Sequence, residues 1–228
     1  MRPLLIFLLL VALAALVWSR GWRPPDRYNP WAPLDLAAEP DMFLRFKLGR
    51  LGDDPAMCRQ AIREAGAVFT SVADRQEPNG CGWTDAVRLS AIGPARLSSP
   101  ATLTCPLAAS MVLFHRHVLQ PRSEAAFGAP VRVVDHVGSY ACRNVYHRDQ
   151  APLSRHAVAD AIDVTGWRLA NGRRITVEKG WDARTEADFL HGLQADGCRY
   201  FGAVLGPDYN AAHRTHFHLQ GRGFGFCR

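Results

Sequence analysis

The sequence predicts an α+β domain in which a small antiparallel sheet carries flanking helices and is stapled by disulfides. Three observations support this class. Hydrophobic residues make up 48% and charged residues 21% of the 228 positions, as is typical of globular proteins. From about residue 41 onward, helical and strand-like patterns alternate without internal repeats. Asn171-Gly172 separates two β-branched runs and indicates a hairpin, because both residues tolerate positive φ angles.

An uncharged apolar run covers Pro3–Trp18 and ends just before Arg20. As a helix it would span about 24 Å, slightly less than the ~30 Å hydrocarbon core of a bilayer. Two interpretations stay open. Residues 1–20 are an uncleaved signal-anchor, with Trp18 and Trp22 at the membrane interface, or they are a cleaved signal peptide.

Residues 21–40 contain five prolines with aromatic residues between them, which predicts an extended tether. Residues 41–228 are expected to form the folded domain. Apolar periodicity within it predicts helices at Ala56–Ala65, Thr102–Leu119 and Glu186–Leu193. Strands are predicted at Val68–Val72, Ala86–Ile92, Val131–Val137, Ala161–Leu169, Arg173–Val177, Phe201–Leu205 and Thr215–Gln220.

The six cysteines are widely spaced and form no CxxC pair. Behind an export signal, this pattern indicates three structural disulfides in an oxidising compartment. We expect Cys58–Cys81 and Cys198–Cys227 to be bonded, because each pair closes a short loop. The alternative is a cytoplasmic protein with buried free thiols. The first interpretation places the domain on the periplasmic side of the inner membrane, held by the N-terminal helix, or outside the cell.

Charge argues against a nucleic-acid partner. Two of the 27 basic residues flank the apolar run, so residues 21–228 carry 25 basic against 21 acidic residues, which is only mildly positive. No phosphate-binding P-loop occurs, and HExxH, GxSxG and SxxK motifs are absent from the sequence. We expect a monomer.

The nine histidines differ in what they indicate. His115 and His117 lie two residues apart on a predicted helix, so their rings diverge by about 200° and we expect both at or near the surface. In the run His213-Arg-Thr-His216-Phe-His218, a strand would place His216 and His218 on one face. Two imidazoles on one face suit a metal ligand beside a proton-transfer group.

A second segment supplies an acid. Asp163 lies in the apolar stretch Ala-Ile-Asp-Val, where a carboxylate must be paired or bound to a metal ion. His156 precedes it by seven residues, so an intervening turn would let both side chains reach a common point. A salt bridge from Asp163 to an arginine is the structural alternative.

The second half of the chain contains the motifs Gly138-Ser-Tyr-Ala-Cys142-Arg143, Leu153-Ser-Arg-His-Ala, Ala161-Ile-Asp163, Phe201-Gly-Ala-Val-Leu-Gly-Pro207, His213-Arg-Thr-His-Phe-His218 and Cys227-Arg228. Taken in this order, the motifs resemble the bacterial extensin-like C-terminal domain family over roughly residues 50–228. They are also similar to the zinc D-alanyl-D-alanine metallopeptidases and the related LAS peptidoglycan hydrolases.

The resemblance implies a LAS-like core that binds Zn²⁺ through His156, Asp163 and His218. It makes His216 the catalytic histidine and Arg143 the group that holds a substrate carboxylate or the developing negative charge. His213 would orient a ligand or lie exposed. The implied activity is hydrolysis of amide bonds in peptidoglycan peptides, of the D,D-peptidase or carboxypeptidase type.

Three positions depart from the patterns that the resemblance supplies. Ala159 stands where the peptidases usually have glycine, Arg155 where the extensin-like pattern commonly has glutamate, and Thr215 where it has aspartate. The usual catalytic glutamate of the carboxypeptidase branch is also missing. A non-catalytic wall-binding module that keeps the fold, with or without the metal, is therefore the alternative function. An exported, disulfide-stapled domain with an unrelated role is the third hypothesis.

Overall fold

The computed structural model describes residues 2–223 and 225–228, and its mixed α+β architecture confirms the predicted class. The helices are α1 (Arg2–Ser19), α2 (Leu44–Leu51), α3 (Pro55–Glu64), α4 (Cys105–Phe114), α5 (Gln120–Phe127), α6 (Val177–Gly180) and α7 (Ala187–Gly197). The strands are β1 (Ala67–Ser71), β2 (Arg75–Gln76), β3 (Gly82–Trp83), β4 (Ala86–Ile92), β5 (Ala95–Thr104), β6 (Val131–His136), β7 (Ala161–Leu169), β8 (Arg174–Thr176), β9 (Ala203–Leu205), β10 (Phe217–Gln220) and β11 (Phe226–Cys227).

The main sheet has nine strands, so the expectation of a small sheet was wrong. Its order is β1-β4-β5-β6-β7-β10-β9-β11, and β8 pairs with the second half of β7. It is not wholly antiparallel, because β5–β6 and β9–β11 are parallel pairs. The predicted hairpin around Asn171-Gly172 joins β7 to β8 and is confirmed.

The helical prediction over Thr102–Leu119 was wrong at its start. Residues 102–104 complete β5, a ten-residue strand that the sequence analysis did not identify, and α4 begins at Cys105. Proline at position 106 suits the first turn of a helix, where its missing N–H costs no hydrogen bond. After α4 a π-helical stretch, His115–Leu119, leads into α5.

Helices α2, α3 and α4 lie on one side of the sheet and enclose the main core. Nearly every side chain of α4 is buried, and α4 packs against β4 and β5. His115, directly after α4, is buried as well, so the expectation of a surface or half-buried position was wrong. It follows four apolar residues that carry the helix into the core, and a polar side chain there is tolerated because Gln120 pairs with it.

Three disulfides join Cys58–Cys105, Cys81–Cys142 and Cys198–Cys227. The expected Cys198–Cys227 bond is confirmed, but the expected Cys58–Cys81 bond was wrong. Helix α3 packs along α4, which brings Cys58 to Cys105 across 47 positions. Disulfides of this kind indicate an extracytoplasmic location.

The proline-rich segment lies against the helical layer. Ala32 and Leu36 of this segment are buried. The Lys47 ammonium on α2 donates to the Asp26 carbonyl at 2.9 Å and to the Asp41 carboxylate at 2.6 Å. Helix α1 precedes this segment; it is apolar and long enough to cross a membrane, and none of its described residues is buried.

Candidate metal centre

A short turn places His156. The 3-10 turn Arg155–Val158 is capped by Ser154, whose hydroxyl accepts from the His156 backbone N–H at 3.3 Å. Ala159 then adopts a left-handed conformation with φ of 52°, which reverses the chain so that β7 starts at Ala161. This position is the one where the resembling peptidases have glycine, the residue that adopts such a φ without strain.

The sheet register places Asp163 and His218. Antiparallel pairing of β7 with β10 sets these two residues directly opposite each other. Because side chains alternate along a strand, the neighbours Ile162 and Val164 point into the core, while Asp163 and His218 point to the other face. The candidate centre therefore lies on the face of the sheet opposite the main core.

Three donor atoms meet there in a nearly equilateral triangle. His156 Nε2 lies 3.1 Å from His218 Nδ1 and 3.2 Å from Asp163 Oδ1, and His218 Nδ1 lies 3.0 Å from the same oxygen. Each atom consequently sees its two partners about 60° apart, so a single N–H aimed at one partner points well away from the other. Hydrogen bonds alone fit this geometry poorly.

A cation bound by all three atoms fits it better. Tetrahedral zinc with bonds of about 2.0–2.1 Å separates its donor atoms by about 3.3 Å, close to the observed edges. Two imidazoles and one carboxylate are also donors that zinc accepts. These residues could hold a metal ion and leave a fourth position open.

The segment that follows β6 orients this cluster. The Ser139 carbonyl oxygen accepts from His156 Nδ1 at 3.3 Å, which leaves His156 Nε2 with its lone pair toward the triangle. The backbone of Gly138 accepts from the Asp163 N–H, and the backbone of Ala141 donates to the His156 carbonyl. The Cys81–Cys142 disulfide closes the segment, so it is fixed at both ends.

Asp163 is held as a carboxylate. Burial alone would raise the pKa of Asp163, but its short contacts with the His156 and His218 rings outweigh burial and keep the pKa well below its usual range. An ionised oxygen is therefore available to a cation at neutral pH.

His216 lies at the edge of the triangle. It immediately precedes β10, and its Nε2 is 3.5 Å from Asp163 Oδ1. Burial lowers its pKa, and the nearby Asp163 carboxylate offsets part of that effect. The Thr215 hydroxyl lies 3.3 Å from the other ring nitrogen. An imidazole in this position can exchange a proton with a molecule bound beside the cluster.

His213 is buried beside the cluster, so it is not exposed. Its ring centroid is 5.4 Å from that of His216 and 5.8 Å from that of His218. Burial, followed by the charges of His218 and His216, lowers its pKa to about 4. Its Nδ1 donates to the Asn210 side-chain oxygen at 2.8 Å, and the Asn210 amide donates to the Tyr146 hydroxyl. This contact fixes the tautomer and orientation of the ring.

Arg143 is half-buried in the segment that orients the centre. Its carbonyl accepts from the Ser154 N–H. Its guanidinium makes no hydrogen bond or ion pair with the residues that the structure describes, so it is available for a ligand. No interaction brings it directly to the triangle.

A cavity beside α2 is a separate feature. It measures about 790 Å³ and lies between α2, the β2–β3 hairpin and the start of α4. Val158 and Asp160 line it, but none of its described lining residues belongs to the triangle. We take the triangle rather than the cavity as the candidate reactive site. The carboxylate of Asp160 in the cavity already accepts hydrogen bonds from Thr104 and Arg222.

Sequence reasoning missed the groups that orient the cluster. The Ser139 carbonyl leaves no trace in the sequence, because any residue supplies one. For Asn210 and Tyr146, the only hint in the sequence is that each lies a few residues from a motif, the first before His213 and the second after Arg143.

The fold and the cluster together define an α+β domain, stapled by three disulfides, with a candidate metal centre on the face of its sheet opposite the main core. Residues 56–228 match the family described as "Extensin-like protein C-terminus", and the chain belongs to that family. No curated protein and no solved structure matches the chain.

Proposed function

We propose that this protein is an exported zinc-dependent peptidase that hydrolyses amide bonds of peptidoglycan peptides. The observation that carries the proposal is the convergence of His156, Asp163 and His218 on one point. The proposed kinship with the zinc D-alanyl-D-alanine metallopeptidases and LAS hydrolases rests on the resemblance of the motifs and is supported by this convergence.

The residues take the following roles in this proposal. His156, Asp163 and His218 hold the ion, and the single carboxylate offsets part of its charge. When bound, a zinc ion would supply Lewis-acid polarisation of the scissile carbonyl and would lower the pKa of a bound water to about 7. His216 exchanges a proton with the reacting groups, because it lies beside the triangle without being part of it. Arg143 binds a carboxylate of the substrate peptide.

A non-catalytic module is the second candidate, and two residues favour it. Arg155 and Thr215 replace acids of the family pattern, so less negative charge surrounds the ion. Thr215 contacts the His216 ring through a neutral hydroxyl at 3.3 Å, which stabilises an imidazolium less than a carboxylate would. Such a module would bind peptidoglycan without releasing peptides.

Elemental analysis of the purified full-length chain tests the metal site. We expect about one equivalent of zinc in the wild type, a loss of zinc in Asp163→Asn and His218→Ala, and no loss in His191→Ala. His191 is an exposed histidine on α7 and serves as the matched control. Wild-type protein that takes up no zinc would refute the peptidase and leave only a binding module without metal.

Release of soluble peptides from peptidoglycan separates the two candidates. The peptidase requires release by the zinc-loaded wild type, its loss with a chelator, and its loss in His216→Ala while zinc stays bound. Zinc-loaded protein that sediments with peptidoglycan but releases no peptide would support the binding module instead.

A further inference from the structure

Three large apolar side chains are exposed on α2 and on the segment before it. Met42 is 80% exposed, Trp31 68% and Phe46 48%. The rings of Trp31 and Phe46 contact edge to face with their centroids 5.9 Å apart. We call these three residues the aromatic face. Large apolar side chains exposed together indicate a contact surface.

The aromatic face is held in place by its neighbours. The Arg50 guanidinium on α2 donates to the Trp31 carbonyl at 2.8 Å, and Leu36 anchors the same segment in the core. The Lys47 ammonium, which is itself buried, fixes the Asp26 carbonyl and the Asp41 carboxylate. The surface is thus preorganised, which reduces the entropic cost of binding.

The chain length ties this surface to α1. Helix α1 ends at Ser19, and the segment is fixed to α2 from Asp26 onward. Seven residues of fully extended chain reach at most about 25 Å. If α1 spans a bilayer, the fixed segment therefore lies within that distance of the membrane end of α1.

The chemistry of the surface suits a bilayer interface. Tryptophan and other aromatic side chains concentrate at the headgroup level of membranes, and arginines there are attracted to anionic lipids. Trp22 is exposed on the connecting chain. Between residues 20 and 50, six basic residues stand against four acidic ones.

We propose that the aromatic face rests on the surface of the bilayer in which α1 is inserted, so that the domain is docked on the membrane. This inference depends on α1 being retained as the anchor, which is part of the proposed location.

Labelled cysteine variants of the full-length chain in lipid vesicles test the proposal. A fluorophore on Met42→Cys reports the aromatic face. A fluorophore on Val137→Cys is the matched control, because Val137 is 70% exposed and lies beside β7, where its N–H donates to the Asp163 carbonyl. We expect lipid-borne quenchers to act on position 42 and aqueous iodide to quench it several-fold less than position 137. Adding Phe46→Glu should restore iodide access at position 42.

Three results would overturn the proposal. Equal iodide access at positions 42 and 137 would show that the face is free in solution. Protection of position 42 without quenching from lipid would show that a protein, such as a second copy, covers it. A label on Leu9→Cys monitors α1 separately. Loss of this label by cleavage would show that the anchor is removed, which overturns the docking together with the proposed location. Retention of the label with an exposed position 42 would refute the docking alone.

Discussion

Folding stability should depend on pH through the buried His115. Its Nε2 lies 2.9 Å from the amide nitrogen of Gln120. That amide also donates to the Val131 carbonyl, while its oxygen accepts from the Val131 N–H, so its orientation is fixed. The Gln120 nitrogen is therefore the donor, His115 Nε2 is the acceptor, and the ring is neutral. Burial lowers the pKa of His115 to about 4, from 6.5.

The size and sign of the effect follow from the two pKa values. Between pH 6.5 and about 4 the unfolded chain binds a proton at this position that the folded chain does not bind. The free energy of unfolding is thus fully retained above pH 6.5 and falls as the pH falls toward 4. At about 1.4 kcal/mol per pH unit, the loss amounts to about 3 kcal/mol.

Urea unfolding at pH 7 and pH 4 measures this loss when the wild type is compared with His115→Gln. Glutamine keeps an acceptor for Gln120 but does not titrate, and all other groups titrate alike in both proteins. We expect the wild type to lose about 3 kcal/mol more than the variant. Arg116→Gln, an exposed neighbouring change, should behave like the wild type. Equal pH dependence in wild type and His115→Gln would refute the assignment.

Three further outcomes are expected. Gly166→Ala should lower the free energy of unfolding by more than 2 kcal/mol, because the new Cβ would collide with the β8 backbone. Gly49→Ala on α2, where space is open, should raise the free energy of unfolding by roughly 0.5–1 kcal/mol. Calorimetry on both variants measures the two changes. Replacing Cys81 and Cys142 together by alanine frees a loop of 61 residues and should cost about 4 kcal/mol in denaturant titration; a cost below about 1 kcal/mol would contradict the loop-entropy argument. Zinc at a hundredfold excess over its Kd should stabilise the wild type by about 2.7 kcal/mol in thermal scans, and Asp163→Asn should show no such shift.

Local patterns predicted much of the fold. Ala86–Ile92 and Ala161–Leu169 were predicted with the bounds that the structure shows, because both are β-branched or alternating runs between turn residues. The start of α4 was missed because Leu103 fits a helical stripe as well as a strand. The pairing of Cys58 with Cys105 depends on how α3 packs on α4, which short-range patterns do not contain.

The sequence predicted the residues that could bind a metal ion, but it did not predict the contacts that orient them. Motif order led to His156, Asp163 and His218, which the structure brings together. The buried position of His213 depends on Asn210, and the tautomer of His156 depends on a backbone carbonyl. Such contacts arise only when separate loops meet in three dimensions.

The Asp163–His218 pairing has a consequence for how an ion would enter and leave. These two donors occupy one rung of the strand ladder, so they would form a rigid bidentate chelate whose backbone moves only if the strands separate. His156 would be the third ligand, and it lies in a four-residue turn outside the sheet. Opening that turn releases one bond while the sheet stays intact, so the lability of the turn would govern the rate of metal exchange.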